Sequence, residues 1–161
     1  MSPPIPAFDW IEQHADIRPD KLALVDDGRK LEITYGDLGD RVRRVAAWLA
    51  GQGVCRGDRV AFLSENTTDV FEVLFACAKL GAILVPLNWR LAVPELEFII
   101  GDCTPTVLIH EEQFADAAQQ LAAPVRLALG DPFEAAKAGS DPASAPAIAS
   151  THDDPLAILY T

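Results

Sequence analysis

Residues 59–86 read RVAFLSENTTDVFEVLFACAKLGAILVP, and their pattern decides the fold class. The run from Arg59 to Ser64 is short, apolar and β-favouring. Asn66 to Thr68 offer capping side chains for a helix over DVFEVLFACAKL, which Gly81 stops. A second apolar run, Ala82 to Pro86, follows at once. Two buried runs joined by a helix make a β-α-β unit with parallel strands. Val70, Phe71, Val73, Leu74, Phe75, Ala76 and Leu80 leave that helix apolar on nearly every side. Such a helix is covered on more than one face, or it drives self-association into a homo-oligomer.

Working toward the C-terminus, Pro94 suits the first turn of a helix through Leu96, Phe98, Ile99 and Ile100, ended near Gly101. TVLIH from Thr106 reads as a strand, Glu111 to Ala122 as a helix, and VRLAL from Val125 as a strand. The alternation predicts a three-layer α/β fold, a mainly parallel sheet with helices on both faces. Working toward the N-terminus, Thr34 caps a helix whose apolar face is Tyr35, Leu38, Val42, Val45, Ala46 and Leu49, with Gly51 and Gly53 at its end. Its Arg41, Arg43 and Arg44 suit a phosphate site, though a solvated face explains them more simply. LALVD from Leu22 and KLEIT from Lys30 flank Asp27-Gly28 as a hairpin. Ala7 to Ala15, with Phe8, Ile11 and Glu12, predicts a short helix.

Three stretches organise the chain: an α/β subdomain over 1–133, an Ala/Ser/Pro-rich connection over 134–154 with a helical turn at its start, and a closing strand over 155–161. The last of these, in DDPLAILYT, reads as a buried strand. A buried strand that simply stops leaves backbone groups without partners. Thr161 is therefore either the end of a protein or a cut through the middle of one.

The chain has 161 residues, 50% hydrophobic and 23% charged, which suits one globular core rather than disorder. Its net charge of −11 argues against nucleic acid or an anionic membrane as partner. Cys55, Cys77 and Cys103 are scattered and odd in number, with Cys77 in an apolar stretch, so a reducing cytoplasm is expected. The acidic, Pro-containing N-terminus lacks the pattern of a signal peptide, and no apolar run reaches the ~18 residues of a membrane span. Neither a GxGxxG, a phosphate-binding GxxxxGK[ST] nor a GxSxG motif is present. His14, His110 and His152 lack ligand spacing, and Glu111-Glu112 suits a solvated helix start. These residues by themselves contain no catalytic constellation and no metal site.

Three stretches taken together carry a resemblance. ITYGDLGDRVRRVAAWLAGQGVCRGDRVAFLSEN (33–66), FACAKLGAILVPLNWRLAVPELEFII (75–100) and DDPLAILYT (153–161) resemble the N-terminal portion of adenylate-forming acyl-CoA synthetases. That superfamily also contains the beetle luciferases and the adenylation domains of peptide synthetases. The resemblance implies an enzyme that joins a small carboxylic acid to ATP, releasing pyrophosphate, and then passes the acyl group to coenzyme A. ATP, Mg²⁺ and CoA would be its cofactors, and the remainder of a parent chain its main partner. Thr161 matches the first residue of the family's phosphate loop, TSGTTGxPKG, which implies that the loop is cut at its first position and that the chain is an incomplete part of a larger N-terminal domain. Asn88-Trp89-Arg90-Leu91 matches its Asn-x-Arg-Leu motif, where Arg90 would meet the nucleotide phosphates of CoA. Arg90 has a plainer reading as a tie to Glu95 or Glu97, Asn88 as a loop-shaping residue, and Trp89 as packing or a channel wall. The resemblance assigns no catalytic residue to this chain. Two alternatives stand beside it: a free-standing, non-catalytic α/β binding module, and an adenylating enzyme with a non-CoA acceptor.

Overall fold

A computed structural model describes residue 7 and residues 9–161. In chain order the elements are α1 (Trp10–Ile17), β1 (Leu22–Asp26), β2 (Leu31–Thr34), α2 (Tyr35–Gly51), β3 (Arg59–Leu63), α3 (Asp69–Leu80), β4 (Ile83–Leu87), α4 (Val93–Cys103), β5 (Val107–His110), α5 (Ala115–Gln120), β6 (Val125–Ala128) and α6 (Asp131–Ala138). Helix α1 starts later than expected, and Phe8 lies outside the described residues.

Local signals account for most boundaries. Thr34 and Asp37 form a reciprocal capping box at the start of α2. Helix α3 ends at Gly81, whose φ of 68° lies in the left-handed region that glycine occupies freely. Helix α4 runs past Gly101 to Cys103, because the Arg59 guanidinium accommodates its end by donating to the carbonyls of Cys103 and Thr104. The predicted helix over 111–122 is shorter, a 3₁₀ turn followed by α5. Glu111 lies outside that turn, and its carboxylate accepts the backbone N–H of Glu65 at 2.8 Å. It ties two loops together instead of standing free in solvent.

Strands β4, β3, β5 and β6 lie side by side in that order, all parallel. Successive residues alternate between two cores. Val60, Phe62, Val107 and Ile109 face α2, α3 and α6, with Phe133 buried among them. Ala61, Leu63, Val85 and Leu108 face α4 and α5. The three-layer α/β expectation therefore holds. Strands β1 and β2 pair as a separate antiparallel hairpin, and α1 and α2 meet over a small third cluster that includes Ile11, Leu38 and Val42.

Helix α3 is covered on more than one face, as its apolar pattern predicts: α2 and the sheet enclose it, and even Asp69, Glu72 and Lys79 are buried. The structure corrects two other expectations. The α2 arginines are not a solvated face: Arg41 pairs with Glu72 and Glu134, Arg43 with Glu12, and Arg44 with Asp40. The closing segment is extended, but it makes a single parallel bridge, Ala157 to Leu84, and Leu159 is 72% exposed. It borders one strand only, so its apolar residues are half-covered rather than buried.

The Ala/Ser/Pro-rich connection begins in α6 and then crosses from the β6 side of the sheet to the β4 side. Its small side chains let it lie close over the helices: Ala145 packs on the first core, and the Ala149 N–H donates to the Lys79 carbonyl at 2.8 Å. Arg56 fastens its far end through the Ala149 carbonyl and Asp154.

Candidate functional site

Ligands of open α/β sheets bind beyond the carboxyl ends of the parallel strands. Here β3 leads into Ser64-Glu65-Asn66, β4 into Asn88-Trp89-Arg90-Leu91, and β5 into His110-Glu111. The closing segment runs parallel to β4, with Ala157 opposite Leu84. Its end, Thr161, therefore reaches the same side as the loop after β4.

Two cavities meet there. One, of about 550 Å³, is lined by Asn88, Leu91, Glu95, Phe98, Tyr160 and Thr161 among others. Its neighbour, of about 460 Å³, is lined by Ser64, Glu65, Asn66, Asn88, Trp89 and Arg90 among others. Asn88 belongs to both walls. Thr161 and Arg90 are thus brought to one end of the sheet but face adjacent cavities.

The loop after β4 is built to present its arginine. Asn88 Oδ1 accepts the Arg90 backbone N–H at 3.1 Å, which closes the turn and fulfils its expected loop-shaping role. The guanidinium carbon of Arg90 lies 4.2 Å from the centre of the Trp89 ring, a cation–π shelf. Trp89 in turn packs near Phe114, with ring centres 6.0 Å apart. Glu95 does not bind Arg90, because its carboxylate accepts the Ala92 N–H at the head of α4. Among the described residues no carboxylate forms an ion pair with Arg90. Exposed, shelved and uncompensated, it is free to meet an anion.

The other wall depends on a contact that the sequence did not announce. Tyr160 Oη donates to Asp102 Oδ2 at 2.5 Å. That hydrogen bond, with a smaller contribution from burial, pushes the Tyr160 phenol up to about 12. It remains a donor throughout the neutral range. The partners are 58 positions apart, and no local pattern signals their meeting. His110, given no role by its sequence context, is largely buried at the end of β5, with Nδ1 2.9 Å from the Glu111 carbonyl. Among the described residues no group of three or more His, Cys, Asp or Glu side chains is placed to hold a metal ion.

Comparison with known proteins gives this arrangement its context. The family model described as AMP-binding enzyme matches residues 11–161. The chain belongs to the AMP-binding enzyme family. It is 34% identical over 157 residues to the long-chain-fatty-acid–CoA ligase FadD13 of Mycobacterium tuberculosis, covering 94% of this chain and 31% of that ligase. It is 38% identical over 151 residues to the fatty acid–[acyl-carrier-protein] ligase ScoC of Streptomyces coeruleorubidus, covering 92% of this chain and 29% of that one. The solved fatty acyl CoA synthetase of Mycobacterium tuberculosis superposes with a TM-score of 0.87 at 29% identity, over 95% of this chain and 32% of that one. The anthranilate CoA ligase AuaEII, solved with anthranoyl-AMP, also gives a TM-score of 0.87, at 26% identity, over 100% of this chain and 32% of the other. The chain thus spans about 30% of the length of these AMP-binding enzymes. A solved N-terminal domain, that of FACL13 from Mycobacterium tuberculosis, covers 98% of this chain with 41% of its own length.

Proposed function

We propose that this chain is the N-terminal part of an ATP-dependent ligase that turns a carboxylic acid into an acyl-adenylate, releasing pyrophosphate, and then into a CoA thioester, releasing AMP. The observation that carries this reading is positional. In a member of the AMP-binding family, the closing segment delivers Thr161 to the carboxyl ends of the strands, beside the loop that presents Arg90.

A carboxylate oxygen is a poor leaving group and AMP a good one, which is the reason to adenylate first. Thr161 contributes an exposed hydroxyl at the site where the phosphate loop of this family would begin, one donor of the several that a phosphate nest needs. Arg90 suits the nucleotide phosphates of CoA, since its guanidinium stays charged and offers a planar fork of donors. Mg²⁺, expected with ATP, finds no fitting ligand set among the described residues, and no step is assigned to it. The exposed Phe98 and Leu159, close to Thr161, support a reading in which further polypeptide packs against this end. Free thiols at Cys55, Cys77 and Cys103 support a cytoplasmic setting.

The likeness to ScoC favours a second acceptor, the thiol of an acyl carrier protein. The test is pyrophosphate exchange by the full-length enzyme across a panel of carboxylic acids, followed by offering CoA or a carrier protein to the adenylate. Acid-dependent exchange followed by CoA thioester is the expected result. Transfer to the carrier protein alone would select the second acceptor, and exchange with no acid would overturn the ligase reading. The 161-residue chain alone should show no ATP binding by calorimetry, because one threonine cannot make a nest. Micromolar binding would contradict the placement of the phosphate site.

A further inference from the structure

The last three residues of the chain are aimed by side chains and not by the sheet. Only two backbone hydrogen bonds join the closing segment to β4, Leu84 N–H to the Leu156 carbonyl and Ile158 N–H to the Leu84 carbonyl. Beyond Ile158 the course toward Thr161 is set by Ile158 and Tyr160, which pack against the α4 side of the sheet, and by the Tyr160–Asp102 hydrogen bond. Asp102 stands in the last turn of α4, where a carboxylate opposes the helix dipole and no basic residue of the helix offsets it. An acid in that place is unfavourable for the helix itself. Two donors stand at that end, the Arg59 guanidinium on the Cys103 and Thr104 carbonyls and the Tyr160 phenol on Asp102 itself.

We propose that Tyr160 and Asp102 form a clasp that orients Thr161 toward ATP, making Tyr160 a positioning residue for adenylation. The proposal rests on the ligase reading above. A hydroxyl displaced by one ångström no longer meets its phosphate oxygen, so a small change in the clasp is magnified in the reaction. The clasp is charge-assisted, and the phenol, raised to about 12, does not titrate across the working range of an enzyme.

The experiment uses the full-length enzyme and compares Tyr160→Phe, Asp102→Asn and the double variant by acid-dependent pyrophosphate exchange and by thermal melting. Tyr160→Phe keeps the ring and its packing but loses the donor. It should raise the KM for ATP, or lower the exchange rate, by about fivefold, the loss expected of one partly exposed hydrogen bond to a charged group. The melting temperature should stay within a degree or two. Asp102→Asn keeps an acceptor and should lose less. The double variant should be no worse than Tyr160→Phe, since both remove one interaction. An active enzyme whose Tyr160→Phe variant exchanges normally, with or without a lower melting temperature, overturns the clasp and leaves the ligase reading intact. A wild-type enzyme that exchanges with no acid overturns both.

Discussion

The α2–α3–α6 side of the sheet and the loop after β4 treat positive charge in opposite ways. On the first, Arg41 and Lys137 converge on the fully buried Glu72 at 2.6 and 2.8 Å, and both also bind Glu134. Lys137 lies over the Phe133 ring at 4.4 Å. After β4, Arg90 lies exposed on Trp89 with no carboxylate partner among the described residues. A charge enclosed by opposite charges holds helices in register. One held out on an aromatic shelf keeps its interaction for something that arrives. The same residue type does scaffold work in one place and is available for binding in the other.

The largest expected effect comes from breaking the enclosed network. Glu72→Gln leaves Arg41 and Lys137 poorly compensated in a buried site, and should cost about 3 kcal/mol of stability in urea unfolding. A loss below about 1 kcal/mol would mean that water enters the network and that the two regions differ less than described. Next comes Gly81→Ala, at the end of α3. The left-handed backbone and a new Cβ 3.0 Å from Arg56 Cγ should together cost about 1–2 kcal/mol, and an unchanged unfolding midpoint would contradict the strain.

Acid should loosen the same side. Burial opposes ionisation of Glu134, but Lys137 and Arg41 outweigh it and hold its carboxyl below the usual glutamate range. A depressed carboxyl stabilises the fold above its unfolded pKa, and that contribution is lost as pH falls through the lower folded value. Melting temperature should fall on acidification below about pH 4.5, and Glu134→Gln should flatten that fall. An unchanged acid profile in Glu134→Gln would remove Glu134 from the network. Arg90→Ala defines the bottom of the scale, with stability within about 0.5 kcal/mol of wild type in the same urea experiment. A larger loss would place Arg90 among the scaffold residues.

What the sequence disclosed follows the range of the signal. Parallel strands, their helices and the Thr34 cap were legible because alternation, helical spacing and capping are local patterns. The turn that presents Arg90 was legible for the same reason, Asn88 acting two residues away. The arginine partners were not, since Glu72 lies 31 positions from Arg41 and Glu134 lies 93 from it. The closing run 156–160 has the apolar composition of a buried strand. Composition does not say how many neighbours a strand has, and this one has β4 on one side. The Tyr160–Asp102 contact needed the fold itself.

The contrast between enclosed and available charge is tested most directly by Arg90→Ala in the full-length enzyme, assayed for both half-reactions. Pyrophosphate exchange should stay at wild-type level and CoA use should weaken about tenfold, one contact worth about 1.4 kcal/mol. A parallel loss of exchange and thioester formation would contradict it and return Arg90 to the scaffold.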